Sequence, residues 1–323
     1  MKFRTEIAIT PAASKIDHSH HLLSVGSCFA ESVSRGLVEL GIPTLINPLG
    51  VMFNPLSIER CVERVVRGEL VEPHELVRRG EEWCSLDAHG SFDGPRPQEV
   101  VRRINRSIEG ARRHLKQTEW VIITLGTAWV YEREGRVVAN CHKLPAREFV
   151  RRRLSVEEVV ASLERTLELL GPERKVVLTV SPVRHLGDGL EGNAISKATL
   201  RLAVEELVGR HPSVTYFPAY EILTDDLRDY RFYADDMLHP SAKAIEYIWE
   251  CFDKCYFNQA TRLLNTRTAE IARGLAHRPF DPAADAYRQF VKQLSAKIEA
   301  IEKEHPYIDF ENEKRQCNTL LNR

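Results

Sequence analysis

Two short stretches of the chain carry side chains that could act on one another. The first is "VGSCFA" (residues 25–30), where an apolar run ends in glycine and is followed at once by Ser27 and Cys28. The second is "DDMLHP" (residues 235–240), far along the chain, in which Asp236 and His239 stand three apart. A hydroxyl or thiol becomes a strong nucleophile when a base takes its proton, and imidazole is the usual base near neutral pH. A carboxylate three residues before the imidazole can reach it across one short turn and fix its tautomer, which is the orienting half of a serine triad. A nucleophile at a helix start also meets partial positive charge and free backbone N–H groups aimed at an anion. Each stretch has a plain structural reading as well: serine is a favoured helix cap, and the second stretch could be a surface turn. Together they point to acyl transfer.

These side chains need elements to bring them together. Residues 21–27 ("HLLSVGS") read as a strand, and Phe29, Val33, Leu37 and Leu40 then recur at helical spacing until Gly41 and Pro43. Residues 57–66 form a second amphipathic helix, and Val101, Ile104, Ile108, Ala111 and Leu115 line a third. Residues 120–126 ("WVIITLG") and 175–181 ("KVVLTVS") are apolar and β-branched, as in strands covered on both faces. Between them, residues 155–171 open on a capping box, Ser155 with Glu158, and close on glycine. "RRR" (residues 151–153) reads as the solvated approach to that helix. A helix over residues 194–208, a strand passing into a loop over 213–222 and one helix over 241–264 complete the main domain, residues 1–264. The alternation predicts an α/β fold with an open parallel sheet and helices on both faces, where sites gather beyond the carboxyl ends of the strands. Residues 265–323 read as a helical extension. Its long helix starts at Asp281 with Pro282 in the first position and carries Phe290, Val291, Leu294, Ile298 and Ile301; "ENEKRQCNTLLNR" follows as a polar tail.

Composition narrows the partners. The 323 residues hold 45 basic and 46 acidic side chains, a formal net charge of -1, so no long-range attraction to nucleic acid or anionic membrane is expected. The N-terminus lacks a secretory apolar stretch, and no segment reaches the roughly 18–20 apolar residues of a membrane span. The cysteines number seven and are scattered, and the Cys251/Cys255 pair has no second pair to complete a zinc site. "DHSHH" (residues 17–21) has metal-binding residue types at no standard spacing. The sequence therefore suggests reduced thiols in a cytoplasmic protein, with no metal and no cofactor.

A strand-end serine near the N-terminus, with D-x-x-H before the last core helix, resembles the SGNH hydrolases, the GDSL esterase/lipase superfamily. No G-x-S-x-G elbow in the middle of the sequence competes with it. "GSCFA" (residues 26–30) is the signature that names the GSCFA family, which is similar to SGNH hydrolases. "NPLGVMFNP", "LGTAWVY", "NCHK", "SPVRH", "YFPAYEI" and "RDYRFYADDMLHP" also look like that family, in the same order, over roughly residues 1–265. The resemblance implies an SGNH/flavodoxin-like three-layer sandwich with a central parallel sheet. It implies Ser27 as nucleophile and His239, oriented by Asp236, as general base and then acid. Cys28 is expected to turn away as a small core filler; its use as the nucleophile is the rival.

In SGNH hydrolases the oxyanion hole takes the serine N–H, a second-block glycine N–H and a third-block asparagine. Ser27 and Gly50 match the first two. The third block reads Gly126-Thr127-Ala128-Trp129, with alanine in place of asparagine. One missing donor typically costs about 2.7–4 kcal/mol of barrier. Thr127, Asn140 and His142 are the candidate replacements, the last two on a hairpin arm turning at Gly135. His142, Arg184 and His185 are candidate substrate contacts, as is Tyr131, which with Trp129 would form either a sugar-stacking wall or core. The implied activity is serine-dependent ester hydrolysis or acyl transfer through an acyl-enzyme, with a small-molecule or O-acetylated carbohydrate ester as substrate by analogy. The alternative is a non-catalytic binding or scaffold protein on the same fold, supported by Ala128.

Overall fold

Alternation along the first strand sets the layers. In the computed structural model, which describes residues 4–281 and 284–321, β1 (His21–Gly26) sends Leu23 and Val25 into one core and Leu22 into another. The chain continues through α1 (Cys28–Glu39), β2 (Thr44–Ile46), α2 (Pro55–Arg67), the hairpin β3 (Leu76–Arg79) and β4 (Glu82–Ser85), and α3 (Pro97–Leu115). Next come β5 (Thr118–Leu125), β6 (Trp129–Arg133), β7 (Arg136–Val138), β8 (Val150–Arg153), α4 (Val156–Leu170), β9 (Lys175–Val180) and α5 (Gly189–Arg210). The chain ends with β10 (Val214–Phe217), the single turn α6 (Ala219–Glu221), α7 (Ala242–Tyr256), α8 (Gln259–Ala276), α9 (Asp285–Glu304) and α10 (Glu311–Leu321).

The central sheet has five strands in the order β10-β9-β5-β1-β2, all parallel. Val121, Ile123 and Leu125 of β5 join Leu23 and Val25 in a core that packs α2, α3, α4 and α5. Trp120 and Ile122 face the opposite core, which holds Phe29, Val33 and Leu37 of α1 and Ile248, Phe252 and Tyr256 of α7. Two-residue alternation in each strand thus feeds helices on both faces, the expected three-layer α/β arrangement. The chain leaves β1 for β2 on one side and later returns to β5 on the other. The β1/β5 junction is therefore the point where strand order reverses, the usual place for a crevice in such sheets.

Several expectations are corrected. The third helix buries Val100, with Val101 beside it and half-buried. The single helix foreseen over 241–264 is two, because Phe257 is extended and buried and Asn258 caps α8 through its side chain, accepting from Thr261 N at 2.8 Å. Leu264 and Asn265 lie within α8. Residues 151–153 form β8, paired antiparallel with β6, because Arg152 finds Glu132 and Glu158 as partners on the sheet surface. The polar tail is α10: Cys317, Leu320 and Leu321 fall on one helical face and pack into a cluster with α8 and α9. The α9 stripe, Val291, Leu294, Ile298 and Ile301, is buried in that cluster. Pro282 lies outside the described residues.

Candidate active site

The joint between β1 and α1 is shaped by Gly26. Its φ is +139°, and a Cβ there would lie 2.1 Å from Thr124 O of the neighbouring strand, so no other residue fits. Asn47 Oδ1 accepts the Gly26 N–H at 2.9 Å and holds the turn. Ser27 follows at the cap position with extended backbone, yet its side chain caps nothing. Its Oγ is buried with no hydrogen-bond partner among the described residues, so the plain capping role does not account for it. Cys28, the first residue of α1, does not turn away as expected: its Sγ lies 3.7 Å from His239 Nε2. Burial pushes its thiol pKa up, while the N–H groups of Phe29 and Cys28 itself act in the opposite direction.

The base is assembled by a tight turn. Met237 takes φ +59°, and Asp236 Oδ1 accepts the backbone N–H of Leu238 at 2.9 Å and of His239 at 3.0 Å. Asp236 Oδ2 lies 2.6 Å from His239 Nδ1. The backbone N–H groups of His239 and Leu238, with the ring, hold the Asp236 carboxyl down at about 2. A carboxylate can only accept, so Nδ1 carries the proton and Nε2 is the nitrogen left facing the Cys28 sulfur, 3.7 Å away, while Ser27 Oγ makes no hydrogen bond to it.

A buried lysine also belongs to this junction. Lys197 of α5 is 1% exposed and donates to Gly126 O at 2.6 Å and Ser181 O at 2.7 Å, tying the ends of β5 and β9 together. Burial holds its ammonium down to about 7, with Cys28 close enough to pull the other way. A neutral amine has two N–H bonds, and here two carbonyls receive them. The signal was periodic: Asn193, Lys197, Leu200, Val204 and Leu207 share the buried face of α5, so the lysine falls on the apolar stripe. Burial, with Lys197 and His239 nearby, also pushes the His185 imidazole down to about 4.

Of the oxyanion donors expected from the sequence, all but the Asn140 amide are otherwise engaged. Ser27 N–H donates to Thr124 O at 3.1 Å and Gly50 N–H to Asn47 O at 2.8 Å. Thr127 N–H donates to Phe53 O at 2.9 Å, and its hydroxyl meets Ser196 Oγ at 3.0 Å. Ala128 is fully buried, its N–H bonded to Ser196 Oγ at 2.8 Å. Asn140 Oδ1 accepts His142 N–H at 2.8 Å, while its side-chain NH2 makes no hydrogen bond among the described residues. The first-turn N–H groups of α1, those of Cys28 and Phe29, act on the Cys28 sulfur.

A crevice of about 760 Å³ has Thr127, Trp129, Tyr131, Asn140, Arg184, His185 and Leu238 in its lining; it reaches Leu238, next to His239, but Ser27, Cys28, Asp236 and His239 do not line it. Arg151 stacks over Trp129 at 4.2 Å and Tyr131 at 5.5 Å, and Arg184 over Tyr233 at 4.0 Å. His142 is absent from this wall. It is 3% exposed and lies against Asp93 and Ser85 O on the other side of its loop, so it can touch neither substrate nor oxyanion in the crevice.

Among the described residues, no helix is long and apolar enough to cross a membrane. The chain is similar in structure to a carbohydrate esterase family 3 from Talaromyces cellulolyticus, with 9% identity and a TM-score of 0.37 over 76% of this chain and 99% of that one. It is also similar to a candidate platelet activating factor from Streptococcus pneumonia, with 14% identity and a TM-score of 0.34 over 72% of this chain and 83% of that one. Neither likeness bears on the chemistry of this chain. No curated protein matches it. The family model for the GSCFA family matches residues 21–252, and that for the GSCFA domain protein, C-terminal domain, matches residues 268–323. The chain belongs to the GSCFA family.

Proposed function

We propose that this protein hydrolyses or transfers an acyl group from an ester, with Ser27 as nucleophile and the His239–Asp236 pair as its base. The observation that carries the reading is the pair itself: an oriented imidazole whose other nitrogen lies 3.7 Å from the sulfur of Cys28, the residue next to Ser27, at the carboxyl end of β1. Ser27 Oγ, buried and unpartnered, turns toward Nε2 and attacks the ester carbonyl as His239 takes its proton. The N–H groups of Cys28 and Phe29 face the developing oxyanion, the first being that of the residue after the nucleophile. His239 returns the proton to the leaving alkoxide. Water or an acceptor hydroxyl then attacks the acyl-enzyme with the same base.

The crevice suits an ester carried on a sugar. The exposed Tyr131 offers the ring face not covered by Arg151 to a pyranose ring, and Arg184 and Asn140 offer polar contacts. An O-acetylated carbohydrate is the substrate class proposed. A second reading takes Cys28 as nucleophile, favoured by its 3.7 Å contact with Nε2 and opposed by the burial that raises its thiol. The test is release of acetate from p-nitrophenyl acetate and peracetylated xylose by wild type, Ser27→Ala and Cys28→Ala. Loss of turnover in Ser27→Ala alone supports the serine route, and loss in Cys28→Ala alone the thiol route. No turnover by folded wild type contradicts both and favours a binding protein on this fold.

A further inference from the structure

A second cluster of chemistry-bearing side chains lies away from the Ser27–Cys28 joint. Cys84 on β4, Asp93 on the segment before α3 and His142 on the loop after β7 each offer one ligand atom, all within 4.8 Å of one another. They are well shielded: Cys84 is 0% exposed, and the side chains of His142 and Asp93 are 1% and 5% exposed. His142 Nε2 lies 2.7 Å from Ser85 O, and a carbonyl can only accept, so Nε2 carries a proton. In the neutral ring this leaves Nδ1 with a lone pair. Yet Nδ1 faces Asp93 Oδ2 at 3.1 Å, acceptor against acceptor, with the Cys84 sulfur beside them. Asp93 Oδ1 is buried with no hydrogen-bond partner among the described residues. In this dry pocket, with Asp93 Oδ1 unpartnered among the described residues, either a proton on Nδ1 or a metal ion must lie between Nδ1 and Asp93 Oδ2.

The geometry points to a divalent transition-metal site, Zn(II) by ligand type, held by Cys84 Sγ, the Asp93 carboxylate and His142 Nδ1. Zinc bonds of about 2.0–2.3 Å place tetrahedral ligand atoms about 3.4 Å apart, so the present spacing closes onto an ion with small side-chain movements. The support behind the histidine is already built: the other ring nitrogen of a zinc-bound histidine normally donates to a carbonyl or carboxylate, as Nε2 does to Ser85 O. Charge also balances. Thiolate and carboxylate cancel the ion once the thiol proton has gone to solvent, and the nearby Arg79, 3.3 Å from Asp93 Oδ2, is offset by its own partner Glu82. The three ligands come from three separate segments. The ion therefore ties the β3–β4 hairpin to the loop whose Asn140 and Cys141 line the crevice, and braces that wall.

The test is metal analysis of the full-length protein after chelation, incubation with excess Zn(II) or Co(II), and gel filtration. The expected result is about one equivalent per protein molecule, with a thiolate-to-Co(II) charge-transfer band in the Co(II) form, as three protein ligands including one thiolate require. Cys84→Ser and His142→Gln each remove the band and most of the metal, while Cys141→Ser keeps both. The site is refuted if wild type retains well under a tenth of an equivalent of either ion, which would leave His142 as an imidazolium paired with Asp93. Full stoichiometry with an unchanged band in Cys84→Ser overturns it equally. The wild-type measurement decides the matter even if a variant fails to fold.

Discussion

Replacing Asp236 by asparagine separates its two jobs. The amide oxygen can still accept from Leu238 N and His239 N, now at 2.9 and 3.0 Å, so the turn that carries the histidine keeps its shape. The change falls at the other oxygen, 2.6 Å from Nδ1. An NH2 group there meets an N–H, and the ring responds by carrying its proton on Nε2. The base then presents a hydrogen to the Ser27–Cys28 joint where it should present a lone pair. General-base catalysis contributes about 10²–10⁴-fold, and a wrong-tautomer substitution in a serine triad costs about 10⁴-fold. The pair here is about half exposed, 49% for the His239 side chain and 46% for Asp236, so water can partly re-orient the ring. The expected loss in kcat is therefore about 10²–10³-fold, with KM nearly unchanged. Because the Asp236 carboxyl is held at about 2, it stays ionised at every practical pH, and an acid limb in wild-type activity belongs to another group. The assay is p-nitrophenyl acetate hydrolysis by both proteins from about pH 5 to 9, spanning the range in which imidazole titrates. Asp236→Asn within about threefold of wild type throughout would refute the orienting role.

The remaining predictions concern the groups around that joint. The Lys197 ammonium, held at about 7 against 10.5 in the unfolded state, means that the unfolded state binds more protons between those values, so stability rises as pH rises from about 7 toward 10.5. Urea melts of Lys197→Met should lack that rise and should be less stable at alkaline pH by about 1–3 kcal/mol, from the unpaired Gly126 and Ser181 carbonyls; an unchanged pH slope would contradict the buried amine. Gly26→Ala drives a methyl into Thr124 O and should destabilise by more than the about 1 kcal/mol of an average substitution in urea melts, with lower soluble yield; a smaller loss would mean the strand ends have room. Tyr131→Ala should raise KM severalfold for an acetylated sugar and leave kcat intact, whereas unchanged kinetics would remove the stacking wall.

The fold was legible because its signals are local. Runs such as residues 120–126 must be covered strands, and the capping box at Ser155 forms as foreseen, with Glu158 N bonded to Ser155 Oγ at 3.2 Å. The failures have local causes too. Nothing in the periodicity of residues 241–264 marks a break, since Phe257 is apolar and buried in extended form and only Asn258 hints at a cap. At the site, sequence located side chains better than backbone. Asp236 and His239 meet because three residues span one turn. The Ser27 and Gly50 N–H groups are taken up because whether an N–H is free depends on which carbonyl lies opposite it, as Thr124 O does for Ser27 and Asn47 O for Gly50, while the Asn140 NH2 stays unbonded among the described residues. His142 was assigned to the crevice from its place on a hairpin arm, but its positive φ of +49° turns the ring inward toward Asp93 and Ser85. Lys197 is hard to read because a lysine in a helix is mostly a surface residue, although its position on the apolar stripe points inward.

The central claim is that the Ser27–Cys28 joint holds a nucleophile activated by His239. Its most direct test is covalent labelling with a fluorophosphonate probe, with the modified peptide mapped by mass spectrometry in wild type, Ser27→Ala, Cys28→Ala and His239→Gln. The account predicts adduct on Ser27 in wild type and Cys28→Ala, none in Ser27→Ala, and labelling slowed about a hundredfold or more in His239→Gln. Absence of adduct on folded wild type, or labelling of Ser27 at the same rate without His239, would contradict it.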